Sequence, residues 1–152
     1  MENKQHTVQL IVFQLGDKEY GVPVADVLSI EKIEHITRVP GTEKYIKGVI
    51  NLRGVILPIV DLRTRFNLPE HPYSEHTRII ITKKGEKEVG LIVDAANDVI
   101  DVATSQLEPP PEVVGTESFD YIKAVAKMNQ QILILIDLAK VLNIEENVEV
   151  NG

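Results

Sequence analysis

Tyr45 to Leu62 reads YIKGVINLRGVILPIVDL, and Tyr121 to Leu138 reads YIKAVAKMNQQILILIDL. The two align without a gap at a shift of 76 residues and share eight of eighteen positions, among them the Tyr-Ile-Lys opening and the Asp-Leu close. Each has the form of a β-hairpin, with two apolar runs joined by a short polar tip: Arg53-Gly54 in the first and Asn129-Gln130 in the second. After each hairpin an Asp (Asp61, Asp137) is placed to cap a short helix, because its carboxylate accepts the orphan amide protons of the first turn.

The repeat extends upstream. Gly16-Asp17-Lys18-Glu19-Tyr20-Gly21 resembles Gly85-Glu86-Lys87-Glu88-Val89-Gly90 at a shift of 69, and an apolar strand-like run precedes each. Two tandem copies of one unit of about 65 to 70 residues account for both matches. In the first copy, Val8 to Leu15 and Tyr20 to Pro23 read as strands and Val24 to Ile33 as a bend; Ile46 to Leu52 and Val55 to Val60 form the hairpin. In the second, Thr77 to Thr82, Lys87 to Asp94 and Val99 to Val102 precede the hairpin Ile122 to Met128 with Ile132 to Ile136. Short strands at even spacing predict one small antiparallel barrel per copy, residues 8–66 and 77–142. The Pro-rich and polar stretch 67–76 is expected as a linker, and the acidic end 143–152 as a frayed tail.

Composition agrees with an all-β chain. Of 152 residues, 18 are Ile, 19 Val and 8 Thr, against only 7 Ala. The 43% hydrophobic content excludes a disordered chain, and the absence of cysteine excludes disulfides, thiolate catalysis and Cys-bearing zinc sites. No apolar run approaches the roughly 20 residues that span a bilayer. MENKQHTVQL has no apolar h-region of a secretory signal, so a cytoplasmic domain is expected. The net charge of −7 and the scarcity of aromatics argue against a nucleic-acid partner. That charge is uneven: residues 1–66 carry a net +1 and residues 67–152 a net −8, which suits either a solubilising surface or two faces with different partners.

Catalytic patterns are missing. Neither G-x-x-x-x-G-K-[ST] nor G-x-G-x-x-G occurs, and no serine lies in a G-x-S-x-G elbow. His71 and His76 lack an H-E-x-x-H spacing. Asp94, Asp98 and Asp101 form the best carboxylate group, but they span a strand end and a bend and need not converge. The expectation is a chain without catalysis, metal or cofactor. Surface remains. Arg53 sits at a hairpin tip where nothing structural demands a guanidinium, so it is either a solvated turn residue or a docking contact.

The string Gly48-Val49-Ile50-Asn51-Leu52-Arg53-Gly54-Val55-Ile56-Leu57-Pro58-Ile59-Val60-Asp61-Leu62-Arg63 resembles the CheW family of bacterial chemotaxis coupling proteins. Similarity extends over almost the whole chain, including Phe13 to Gly21 and Val89 to Asp94. The resemblance implies two five-stranded SH3-like barrels over a shared apolar interface. It also implies an adaptor that joins the cytoplasmic hairpin tip of a chemoreceptor to the regulatory domain of the histidine kinase CheA. Such an adaptor reaches membrane arrays through its partners, without inserting in the bilayer. Carried across, Val27, Ile30, Gly48 and Val99 match receptor-contact positions. Ser29, Arg53 and Ile56 match the first-barrel kinase contact, and Val113 the second-barrel one. Many members read V-x-E-I where this chain has Val27-Leu28-Ser29-Ile30, so an ion pair there is either absent or supplied by Glu31. Two other readings stay open: the same module in an array that does not control motility, and a small-barrel protein with a ligand in the inter-barrel cleft.

Overall fold

A computed structural model describes residues 6–110 and 121–143. Eleven strands lie among the described residues: β1 (Thr7–Leu15), β2 (Lys18–Pro23), β3 (Val27–Lys32), β4 (Ile46–Leu52), β5 (Val55–Asp61), β6 (Arg78–Lys84), β7 (Lys87–Val93), β8 (Ala95–Ala103), β9 (Leu107–Glu108), β10 (Ile122–Met128) and β11 (Gln131–Ile136). Two one-turn helices follow the hairpins, α1 (Leu62–Arg65) and α2 (Leu138–Val141). Both hairpins pair as expected, Leu52 opposite Val55 and Met128 opposite Gln131. The segment expected as a bend at Val24–Ile33 is a single 3-10 turn, Val24–Asp26, followed by strand β3.

The two sheets do not follow the two copies. One has the order β8-β1-β2-β11-β10-β9 and the other β3-β6-β7-β5-β4. Each unit thus takes its leading hairpin from the other copy, and contiguous barrels at 8–66 and 77–142 do not describe the sheets. Two parallel pairings close the exchange, Leu135 beside Gly21 and Ile59 beside Gly90. These are equivalent contacts, related by the shifts of 76 and 69 residues found in the sequence. Register shifts in the β1–β8, β3–β6, β4–β5 and β10–β11 pairings mark bulges, which bend strands and curl each sheet into a barrel-like unit.

Strand alternation sorts the core into three parts. Leu10, Val12, Val102, Leu133 and Leu135 fill the six-stranded unit, and Ile50, Leu57, Ile59, Ile79, Ile81 and Ile92 the five-stranded one. The opposite faces of β1, β2, β6 and β7 supply Phe13, Leu15, Val22, Ile80, Leu91 and Val93 to a core shared between the units. Strands buried on both faces read as continuous apolar runs, which is why LIVF at 10–13 and III at 79–81 lack polar alternation.

Each short helix is built the same way. Asp61 Oδ1 accepts from the Arg63 and Thr64 amides at 2.9 and 3.5 Å, and Asp137 Oδ1 from the Lys140 amide at 3.3 Å. The Asp61 and Asp137 amides donate to the carbonyls of Tyr45 and Tyr121, each at 2.8 Å. Asn67 (φ 63°) and Asn143 (φ 58°) leave the helices in the left-handed region, where Asn is tolerated better than most residues.

Candidate docking surfaces

The first surface is the tip of the β4–β5 hairpin. Arg53 (φ 51°) and Gly54 (φ 89°) both adopt positive φ, as a two-residue turn matched to strand twist requires. The Gly54 amide donates to Asn51 Oδ1 at 2.9 Å. The Arg53 side chain is 71% exposed, with Nη2 3.4 Å from Glu31 Oε2 on β3. Because β3 and β4 are opposite edges of the five-stranded sheet, this contact lies where the curled sheet brings its edges together. Within the chain, Glu31 is therefore the carboxylate beside Arg53. Ser29 itself is half-buried opposite Ile81. Ile56 and Val55, at 60% and 50% exposure, make the tip apolar beside its charge.

Val27, Ile30 and Val99 belong to a second surface. Val27 is half-buried against the shared core, while Ile30 and Val99 are exposed. They lie on β3 and β8, strands in equivalent edge positions beside β6 and β1. β8 touches β6, and the turn leading into β3 touches both β1 and β6, so the two strands flank the seam between the units. Leu28, exposed on β3, extends this apolar edge.

Gly48 is different. It is buried in β4 with φ 148°, and a Cβ there would lie 2.1 Å from the Thr37 carbonyl oxygen. Thr37 and Val49 exchange backbone hydrogen bonds of 2.9 and 2.8 Å over this position. The fold therefore demands glycine here for its own reasons. Val113 lies outside the described residues.

Sequence reasoning missed Ile132, which stands at the tip of the β10–β11 hairpin and is as exposed as Ile56. The signal was present, since 132 is 56 shifted by the repeat. It also missed Arg65, whose guanidinium lies 4.1 Å from the Tyr45 ring and 4.7 Å from the Tyr121 ring. Arg65 Nε and Nη2 donate to the Val141 and Lys140 carbonyls at 2.8 and 3.1 Å, so one side chain ties together equivalent elements of both copies.

Asp94, Asp98 and Asp101 do not converge on a site. Asp94 is engaged by Arg63, and Asp98 accepts from the amide of its neighbour Val99. Among the described residues no three His, Asp or Glu side chains are grouped to hold a metal ion, and no helix is long and apolar enough to cross a membrane. The charge asymmetry follows the exchanged units. Residues 27–93, which form the five-stranded unit, carry 11 basic and 8 acidic groups, a net +3. The described residues of the six-stranded unit, 6–26, 94–110 and 121–143, carry 4 and 8, a net −4.

Two packed small barrels with exposed apolar tips define a tandem-barrel scaffold protein. The CheW-like domain matches residues 9–146, and the chain belongs to the CheW family of chemotaxis coupling proteins. It is 48% identical to the chemotaxis protein CheW of Bacillus subtilis (strain 168), over 91% of this chain and 89% of that protein. To the chemotaxis protein CheW of Klebsiella aerogenes it is 38% identical, over 91% and 83%. The crystal structure of the scaffolding protein TtCheW from Thermoanaerobacter tengcongensis superposes with a TM-score of 0.84 at 34% identity, covering 92% of this chain and 95% of that one.

Proposed function

We propose that this chain is a non-catalytic coupling scaffold that binds the regulatory domain of the histidine kinase CheA and the cytoplasmic hairpin tip of a chemoreceptor. It works in the cytoplasm and is held at membrane arrays by those partners. The observation that carries this reading is Arg53. At the equivalent tip of the second copy stands Asn129, with φ 58°, a residue that accepts the left-handed region readily. An arginine in the same conformation is locally the worse choice, so its side chain is retained for what it reaches. With Ile56 and Val55 beside it, the tip combines a planar cation with desolvatable apolar surface, a pairing suited to a protein interface. The seam flanked by Val27, Ile30 and Val99 suits an amphipathic helix laid into a groove, the form a receptor tip would present.

Calorimetric titration into a purified CheA regulatory domain, repeated with Arg53→Glu, tests the kinase contact. Saturable binding that the reversal weakens supports it; unchanged binding removes Arg53 from the interface.

A further inference from the structure

A groove of about 1310 Å³ runs between the segment 36–47, α1 with the chain leaving it, and Tyr121 of the other copy. It is separate from the docking tips and from the seam beside β3 and β8. Four basic side chains line it (Arg38, Lys44, Lys47 and Arg65) against two acidic ones, Glu43 and Glu70. Lys47 is compensated by Asp61 and Glu70, at 3.9 and 4.0 Å. Arg65 spends its donors on backbone carbonyls, which leave its charge unneutralised. Arg38 and Lys44 form no ion pair among the described residues. Thr64 also lines the groove, and its hydroxyl oxygen is buried without a hydrogen-bond partner. Tyr45, Tyr73 and Tyr121, three of the four tyrosines of the chain, complete the wall.

In a chain of net charge −7 this is a concentration of unspent positive charge, and it lies on the unit of net +3. Its volume exceeds the roughly 300–1,000 Å³ of ordinary small-molecule pockets. Phenol donors set among cations and apolar side chains suit a chain that alternates carboxylates and apolar groups. A nucleic acid would meet the net negative charge of the other unit. We propose that this groove docks an acidic, extended segment of a partner protein, as an interaction surface additional to the hairpin tips and the seam.

The test is fluorescence anisotropy of a fluorescein-labelled peptide of alternating Glu and Val, titrated with the full-length chain. Saturable binding is expected, weakened roughly tenfold, or about 1.4 kcal/mol, by Arg38→Glu with Lys44→Glu. Lys83→Glu with Lys87→Glu, an equal charge change on the β6–β7 hairpin, should leave it unaltered. Thermal unfolding verifies that each variant is folded, and Arg38→Gln with Lys44→Gln replaces the reversal should that one misfold. Failure to saturate, or equal weakening by both reversals, overturns the proposal. It also fails if inorganic phosphate displaces the peptide at matched ionic strength, which would define a small-anion site, or if a single-stranded oligonucleotide binds more tightly than the peptide. Tighter peptide binding after Glu145→Gln, Glu146→Gln and Glu149→Gln together would name the acidic end of this same chain as the occupant in place of a partner.

Discussion

Arg63 and Asp94 meet side by side, with Nε 2.9 Å from Oδ1 and Nη2 2.6 Å from Oδ2. Asp94 Oδ2 also accepts the Gly16 amide at 2.7 Å, and Arg63 Nη1 donates to the Pro69 carbonyl at 2.9 Å. One bidentate pair therefore joins α1, the β1–β2 turn, the β7–β8 corner and the chain between the copies. Planar guanidinium and carboxylate match edge to edge, which makes this geometry stronger than a point-charge contact. Burial pushes the Asp94 carboxyl upward, but the Arg63 and Gly16 hydrogen bonds and the Arg63 charge outweigh it and hold it below its ordinary 3.8.

A folded-state value below the unfolded one means that Asp94 contributes stability fully present above about pH 4, and lost as pH falls through the depressed value. Asp94→Asn should cost about 1–3 kcal/mol at neutral pH, towards the lower figure because the pair is partly solvated. It should also flatten the acid limb of stability. Urea unfolding of both proteins between neutral pH and acid checks this; parallel curves would deny the pair its role.

Gly48→Ala should lower stability by about 3 kcal/mol, since the new Cβ would meet the Thr37 carbonyl oxygen in a strained φ. The thermal midpoint measures it. A normal midpoint with lost receptor binding would instead make Gly48 a contact residue.

Arg53→Asn relieves the left-handed strain and should raise stability by about 1 kcal/mol while weakening kinase binding. The two readouts moving in opposite directions are the signature. Loss of both would mark Arg53 as structural through Glu31.

Arg65→Lys should recover less than half of the roughly 2 kcal/mol lost in Arg65→Ala. An ammonium can neither lie flat between Tyr45 and Tyr121 nor reach the Val141 and Lys140 carbonyls with the same fork. Chemical denaturation of the three proteins gives the comparison.

Val99→Asp should keep the fold, because the side chain is half exposed on an edge strand, and should weaken binding of a receptor-tip helical hairpin. Retained binding would take Val99 out of the seam surface.

Much of this was legible in order along the chain. Hairpins and Asp caps depend on neighbours within a few residues, so apolar runs and turn residues specify them. The exposed arginine at the first hairpin tip was legible too: an arginine before glycine at a two-residue turn is unusual enough to be noticed by residue type alone. Glu31 as its partner was not, because 22 positions separate the two and only the curl of the sheet joins its edges. Ile132 stayed hidden for another reason. An isoleucine in an apolar run looks like core until the strand is known to turn that face outward.

The sequence by itself determined the two hairpins, their Asp-capped helices and the twofold repetition, all of which rest on local geometry and period. Tertiary structure alone decided which hairpin joins which sheet. In a tandem repeat both copies offer the same strands, and a closed copy and an exchanged one satisfy the same local patterns. The choice rests on the parallel contacts of Gly21 with Leu135 and of Gly90 with Ile59. A Cβ at Gly90 would come within 2.7 Å of Ile59 and Ile79, so the close approach exists only because that side chain is absent. Those pairings span 31 to 114 residues, beyond the reach of any local signal. They also set the charge of each unit, and with it the face each can offer a partner.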